Sequence, residues 1–195
     1  MTDNSETSRK FFELSRAYFL AAKVLNYRAC ASESENTNAV GSAIMFNARL
    51  SIELFLKGAI VLRDPSAKIT GHALEIHRNN YARLFPEAKF AWIVPFTVQF
   101  VGGSDEERAE AQARNLRERP LDQIFRYPVD NKGQPWDTLE NFSPAQFAEP
   151  LAKIGADISR LVSLRSAPGE AERIRIDRAK PRSDPVVGRA REKRG

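Results

Sequence analysis

The feature that most constrains this chain is a segment, residues 40–62, that is apolar on nearly every side of a helix. Its apolar residues recur at steps of three, four and seven and form two stripes. The first stripe is Val40, Ile44, Ala48, Phe55, Ala59 and Leu62, and the second is Phe46, Leu50, Leu54 and Val61. A helix without a broad polar face must be covered by other elements, so this segment is predicted to be the central helix, ending at Asp64 and Pro65.

Two further helices are predicted, one before and one after the central one. Apolar residues recur at helical steps over 8–31, and Thr7 or Ser8 can cap the first turn by accepting a hydrogen bond from an orphan backbone N–H. A shorter pattern predicts a helix over 71–85, which Pro86 ends. Together with the central helix, these segments make the first half of the chain helical.

The middle of the chain is more ambiguous. Residues 90–101 suit a strand by their β-branched and aromatic content, but a helix bent at Pro95 is preferred because a single strand would have no pairing partner. An exposed helix is expected to follow Ser104 and to end before Pro120. Residues 121–136 are rich in turn signals and are expected to form an ordered loop.

The last helix has the clearest start in the sequence. Ser143 is its predicted N-cap, Pro144 its first residue, and Gln146 closes a capping box, while Phe142 packs on Phe147 as a hydrophobic staple. The sequence therefore predicts an all-α fold.

Most of the net charge of the chain lies at its C-terminal end. Of the formal net charge of +5, residues 167–195 contribute +4, from nine Lys or Arg against five Asp or Glu. These residues include no aromatic side chain and no helical or strand period, so they cannot bury enough surface to offset the entropy of ordering. We expect one helical domain over 1–166 and a disordered basic tail over 167–195, which either acts as an arm for RNA, DNA or an acidic partner or binds nothing.

The sequence also bounds the compartment and the cofactors. Cys30 is the single cysteine, so no internal disulfide can form. One cysteine and two histidines are also fewer than the four Cys or His ligands that a structural zinc site normally uses. The longest apolar run, 90–98, has nine residues against the roughly 20 that a membrane span needs, and the polar first residues lack the apolar core of a signal peptide. We expect a cytoplasmic protein without membrane contact, metal or cofactor.

The common enzyme signatures are missing from the sequence, including the phosphate-binding loop, GxGxxG, GxSxG, HExxH and CxxC. His72 and His77 are five residues apart, which is not the spacing of shared metal ligands on a helix. The acidic residues over 105–110 suit a helix N-terminus better than a magnesium site, and Cys30 suits a small hydrophobe better than a nucleophile. No catalytic residue is therefore assigned from motifs.

Three charged residues lie on one face of the otherwise apolar central helix, four residues apart. They are Arg49, Glu53 and Lys57. One interpretation is a ladder of buried ion pairs, joined by His72, that fixes the register of the helix. The other is a basic groove, bounded by this ladder and by Arg126 and Tyr127, that binds a phosphate, a nucleotide or an RNA segment.

The central helix and the segment after it also resemble a known family. The sequence NARLSIELFLKG over 47–58, followed after a break by GHAL over 71–74, resembles the HEPN superfamily of small α-helical bundles, whose pattern is AxxxxElxlK followed by GHxL. The resemblance covers residues from about 10 to 165 and is strongest over 43–85. It implies an up-and-down bundle of four to five helices that often dimerises. Members include metal-independent ribonucleases of toxin, abortive-infection and CRISPR systems, and non-catalytic proteins.

Catalytic members of that family use an Arg and a His four to six residues apart on a late helix, and this chain departs from the pattern. No arginine precedes His72 or His77 at that spacing, and the nearest one before His72, Arg63, is separated from it by eight residues. His72 matches the GHxL element instead. Tyr127, beside Arg126, is a poor replacement for a general base at neutral pH.

The resemblance therefore implies a HEPN-like domain, non-catalytic, that binds a nucleotide, RNA or protein partner, within a toxin or antiphage defence system. The implied partners are a second copy of the chain and a protein such as a nucleotidyltransferase. One alternative is a divergent metal-independent ribonuclease, with Arg126 and Tyr127 joined by Arg49 or His72 at its site. The other is a purely structural accessory subunit.

Overall fold

A computed structural model of the chain describes residues 4–35, 37–97 and 142–166, together with the single residues 104, 106, 125 and 132. This part of the chain is an all-α bundle without strands, as the sequence predicts. Its helices are α1 (Asn4–Ala31), α2 (Asn38–Arg63), α3 (Leu74–Leu84) and α4 (Pro144–Ser166), with 3₁₀ turns at Glu33–Glu35 and Ala88–Phe90. The predicted exposed helix after Ser104, the loop with Arg126 and Tyr127, and the tail over 167–195 lie outside the described residues, apart from those single positions.

The central helix is confirmed as α2. Thr37 caps it by accepting a hydrogen bond from the N–H of Val40 at 3.2 Å. The helix buries residues on every side, among them Ile44, Ala48, Ile52, Phe55, Leu56, Ala59 and Ile60. By length and composition alone α2 could cross a membrane, but more than half of that apolar stretch is buried inside the bundle.

α1 lies antiparallel to α2 and is held in register by two buried serines. The hydroxyl of Ser8 donates to the Gly58 carbonyl at 2.8 Å, and that of Ser15 donates to the Ser51 carbonyl at 2.7 Å. The predicted cap at Thr7 or Ser8 is wrong, because α1 begins earlier, at Asn4, and Ser8 turns its hydroxyl towards the neighbouring helix instead. α4 runs in the opposite direction to α1, and Asn26 of α1 donates a hydrogen bond to the carbonyl of Pro144, the first residue of α4.

α3 begins three residues later than predicted, at Leu74. Gly71 has a φ of +79°, a left-handed conformation that glycine adopts without steric cost, so the chain turns there and cannot yet be helical. Tyr81 of this helix stacks on Phe85, the residue after its end, with ring centroids 4.9 Å apart, and Phe85 meets the buried ring of Phe90 edge-on at 5.2 Å.

The predicted kinked helix over 90–101 is wrong for its described part. After the 3₁₀ turn, residues 91–94 are irregular and alternate in burial, with Phe90, Trp92 and Val94 inside and Ala91 and Ile93 outside. This is the two-residue period of an extended chain.

Side chains take the place of the strand partner that this extended segment lacks. The Tyr81 hydroxyl donates to the Phe90 carbonyl at 3.0 Å, and Arg160 of α4 donates to the carbonyls of Lys89 and Ala91 at 2.8 and 3.0 Å. Backbone groups near the core must be paired, and a helix or a sheet is only one way to pair them.

The start of α4 is confirmed. The hydroxyl of Ser143 accepts a hydrogen bond from the N–H of Gln146 at 3.3 Å, and the rings of Phe142 and Phe147 lie 5.7 Å apart. The staple also reaches α2, because the Phe142 ring fills the space beside Gly41 where a Cβ would stand.

Candidate functional site

The three charged residues of α2 form a buried ion-pair cluster. Lys57 Nζ lies 2.7 Å from Glu53 Oε1, and Arg49 Nη1 lies 3.7 Å from Glu53 Oε2. The side chains of Arg49, Glu53 and Lys57 are 6%, 2% and 10% exposed. The shared carboxylate of Glu53 thus neutralises charge on both sides of it, as the ladder interpretation predicts.

The two cations of this ladder also hold the segment that leads into α3. Lys57 Nζ donates to the Gly71 carbonyl at 2.8 Å, and Arg49 Nη2 donates to the His72 carbonyl at 3.0 Å. Nε2 of His77 lies 3.3 Å from the same Gly71 oxygen. Because the left-handed turn at Gly71 leaves these carbonyls without helical partners, charged side chains from α2 satisfy them instead.

His72 joins the ladder as predicted. Its Nδ1 lies 3.0 Å from Glu53 Oε1, while half of its side chain, 51%, is exposed. The residue therefore connects the buried carboxylate to the protein surface. A carboxylate at Nδ1 fixes the orientation of an imidazole and favours the tautomer that leaves Nε2 as an acceptor.

Electrostatics at the site follow from this geometry. Burial alone would raise the pKa of Glu53, but the hydrogen bond and charge of Lys57, with His72, outweigh it and hold that pKa below its usual value. Burial lowers the pKa of His77, against the opposing hydrogen bond to Gly71. At neutral pH Glu53 is charged and His77 is neutral, so the ladder combines one anion with two cations.

The structure brings four of the six predicted site residues together, and the other two, Arg126 and Tyr127, fall outside the described residues. The phosphate-binding groove that needs them stays a prediction. Within the described ranges, no three His, Cys, Asp or Glu side chains converge as a metal site would require.

A second surface was not identified from the sequence, although its residues are spaced at helical steps. On α1, Leu20, Val24 and Tyr27 are 57%, 50% and 74% exposed. Two cavities of about 760 and 500 Å³ line up beside them, between α1 and α4, and meet where the Phe19 ring abuts Gly155. We call this concave surface the α1–α4 groove. Cys30, expected to be a small hydrophobe, is exposed at one end of it.

Comparison of the chain with models of protein families, with curated proteins and with solved structures gives no match. The HEPN resemblance therefore rests on the residues of α2 and of the turn at Gly71. In this structure the charged and polar positions of that pattern, Glu53, Lys57 and His72, belong to the ladder, and Gly71 is the turn that Lys57 holds.

Proposed function

We propose that this chain is a non-catalytic, HEPN-like helical module that binds a protein partner. The observation that carries the proposal is the exposed apolar stripe of α1, formed by Leu20, Val24 and Tyr27. Exposed apolar residues are ordinary when they are scattered, but contiguous ones beside a concave surface are typical of protein interaction sites.

The state of the ladder favours a protein over a phosphate as the partner. A phosphate site needs cations that point at solvent, whereas Arg49 and Lys57 point at Glu53 and at backbone carbonyls and are almost completely buried. Rotating either one outwards would strand a buried carboxylate. We therefore assign the ladder a structural role, which is to fix the turn at Gly71 and the start of α3.

The proposal is tested by recovering the tagged chain from its native cells with any protein bound to it. The double variant Val24→Glu, Tyr27→Glu is expected to lose a stoichiometric partner that the parent chain retains. The control is Ala82→Glu, which places a carboxylate on the exposed surface of α3. A chain that recovers no protein, or one whose partner is indifferent to the double variant, contradicts the proposal.

A ribonuclease is the second candidate, and one observation favours it. His72 is half exposed, and the carboxylate of Glu53 holds its Nδ1, which is how enzymes orient an imidazole that acts as a general base through Nε2. We expect purified protein to cleave RNA no faster than the His72→Ala and Arg126→Ala variants. Metal-independent cleavage that either substitution abolishes would establish the ribonuclease and refute the non-catalytic proposal.

A further inference from the structure

We propose that the α1–α4 groove is the docking site for an acidic amphipathic helix of a partner protein. This inference rests on the proposed binding function and names the chemistry of the partner. It draws on the shape of the groove, on an unsatisfied polar atom inside it and on the charge of its rim.

The shape of the groove suits a helix. On its α4 wall stands a row of small exposed residues four apart, Ala148, Ala152 and Ala156. Small side chains in such a row let a second helix approach closely, and Leu20 and Tyr27 of α1 offer apolar contacts opposite. From Arg9 to Cys30 the α1 wall is about 32 Å long, which accommodates a helix of about 20 residues.

A buried polar atom in the groove lacks a partner. Asn26 is 4% exposed and lines the cavity, and its Nδ2 donates to the Pro144 carbonyl at 3.1 Å. Its Oδ1 is itself buried and has no hydrogen-bond partner among the described residues. An unsatisfied buried acceptor costs free energy, so a ligand whose docking turns this amide towards the groove and supplies an N–H or O–H donor gains affinity by relieving that cost.

The charge of the rim identifies the partner as acidic. Arg9, Arg16 and Lys23 line the groove at seven-residue steps, and among the described residues only Arg9 of these three has an ion-pair partner, Glu13 at 2.7 Å. A second copy of the chain is a poor occupant. The exposed apolar stripe of a second copy would lie on its own α1, which carries five basic residues and two acidic ones. Docking that helix would bring basic residues of both copies together, and like charges repel.

The test uses two synthetic helices of about 20 residues, long enough to span the groove. Both carry leucines at three- and four-residue steps, with one asparagine on the same face. They differ only at the remaining positions, which are all glutamate in one peptide and all lysine in the other. Binding is measured by fluorescence anisotropy with the full chain at about 0.15 M salt, where long-range attraction is screened. The glutamate peptide is expected to bind at least about tenfold more tightly than the lysine peptide.

Two variants locate the binding. Ala152→Glu puts a bulky anion into the groove and is expected to weaken the glutamate peptide by about tenfold or more, whereas Ala82→Glu on α3 leaves its affinity within about twofold. The double variant Arg16→Glu, Lys23→Glu reverses the charge of two rim residues and is expected to bind the lysine peptide more tightly than the glutamate peptide. Circular dichroism checks that each variant is folded.

The outcomes separate this inference from the proposed function. If neither peptide binds, if both bind equally, or if Ala152→Glu has no effect, the acidic-helix assignment is wrong, even where the α1 double variant still loses its cellular partner. A dimer in solution that Ala152→Glu dissociates would identify a second copy as the occupant and overturn the assignment. An unchanged preference for the glutamate peptide in the variant with Arg16→Glu and Lys23→Glu would overturn the role of the rim.

Discussion

Removing the carboxylate of Glu53 should be among the most damaging single changes in the described part of the chain. Glu53→Ala leaves Arg49 and Lys57 inside the bundle without the carboxylate that they share, and all three side chains are at most 10% exposed. Stranding a buried ion-pair partner costs about 3–5 kcal/mol. In a domain of this size each kcal/mol shifts Tm by about 2–4 °C, so a loss of about 6–20 °C is expected.

The assay is thermal unfolding followed by circular dichroism, supported by urea titration to give the free energy of unfolding. The matched control is Glu13→Ala, which removes a carboxylate from an exposed pair with Arg9, also four residues apart on a helix. Exposed pairs contribute little, so the control should melt close to the parent. If Glu53→Ala also melts like the parent, the ladder is not a structural element and the reasoning fails.

A double-mutant cycle refines the same prediction. Lys57→Ala should destabilise less than Glu53→Ala, because Glu53 keeps Arg49 and His72 as partners. The double variant should be less unstable than the sum of the two, since each single change already breaks the shared ion pair. Additive losses would mean that the two residues act independently and would contradict the pairing.

Three further predictions concern other contacts. The pKa of His77 lies below its ordinary value of 6.5, so on acidification the unfolded chain takes up a proton before the folded chain does, and the stability present above pH 6.5 should fall as the pH drops through the folded pKa. Urea titrations at several pH values should show this loss of stability in the parent but not in His77→Gln. Gly58→Ala should lower Tm despite its better helix propensity, since the new Cβ would lie 2.9 Å from the Phe12 ring; a higher Tm would contradict the packing. Arg160→Ala should cost about 1 kcal/mol and alter Trp92 fluorescence, because it frees the carbonyls at Lys89 and Ala91; an unchanged spectrum and Tm would refute that role.

Local chemistry explains why parts of this fold are predictable from the sequence. The cap and the staple of α4 depend on residues within five positions of each other, and the structure confirms them at Ser143 and Phe142. The ladder is equally local, because side chains four apart on one helix must meet. Its link to His72 follows only from the turn at Gly71, which returns the chain to α2.

Long-range packing explains the errors. Ser8 is a good cap by its chemistry, but a carbonyl of Gly58, fifty residues away, accepts its hydroxyl instead. The chain at residues 89–91 has no strand to pair with in the described part of the fold, and its carbonyls accept hydrogen bonds from Tyr81 and Arg160, which no local pattern indicates. The α1–α4 groove exists because α4 crosses α1 at a distance that the Phe19 ring sets against Gly155.

The sequence by itself determines that this chain is helical, which helix lies at the centre and that its three charges must be paired, since hydrophobic period and charge spacing act within a few turns of one helix. The tertiary structure alone decides which surfaces stay open. Burial depends on how far apart two helices lie, and that distance is set by side chains from distant parts of the chain packing together. For this reason the ladder could be anticipated as a set of residues, while the groove and its unsatisfied Asn26 could be found only in the folded molecule.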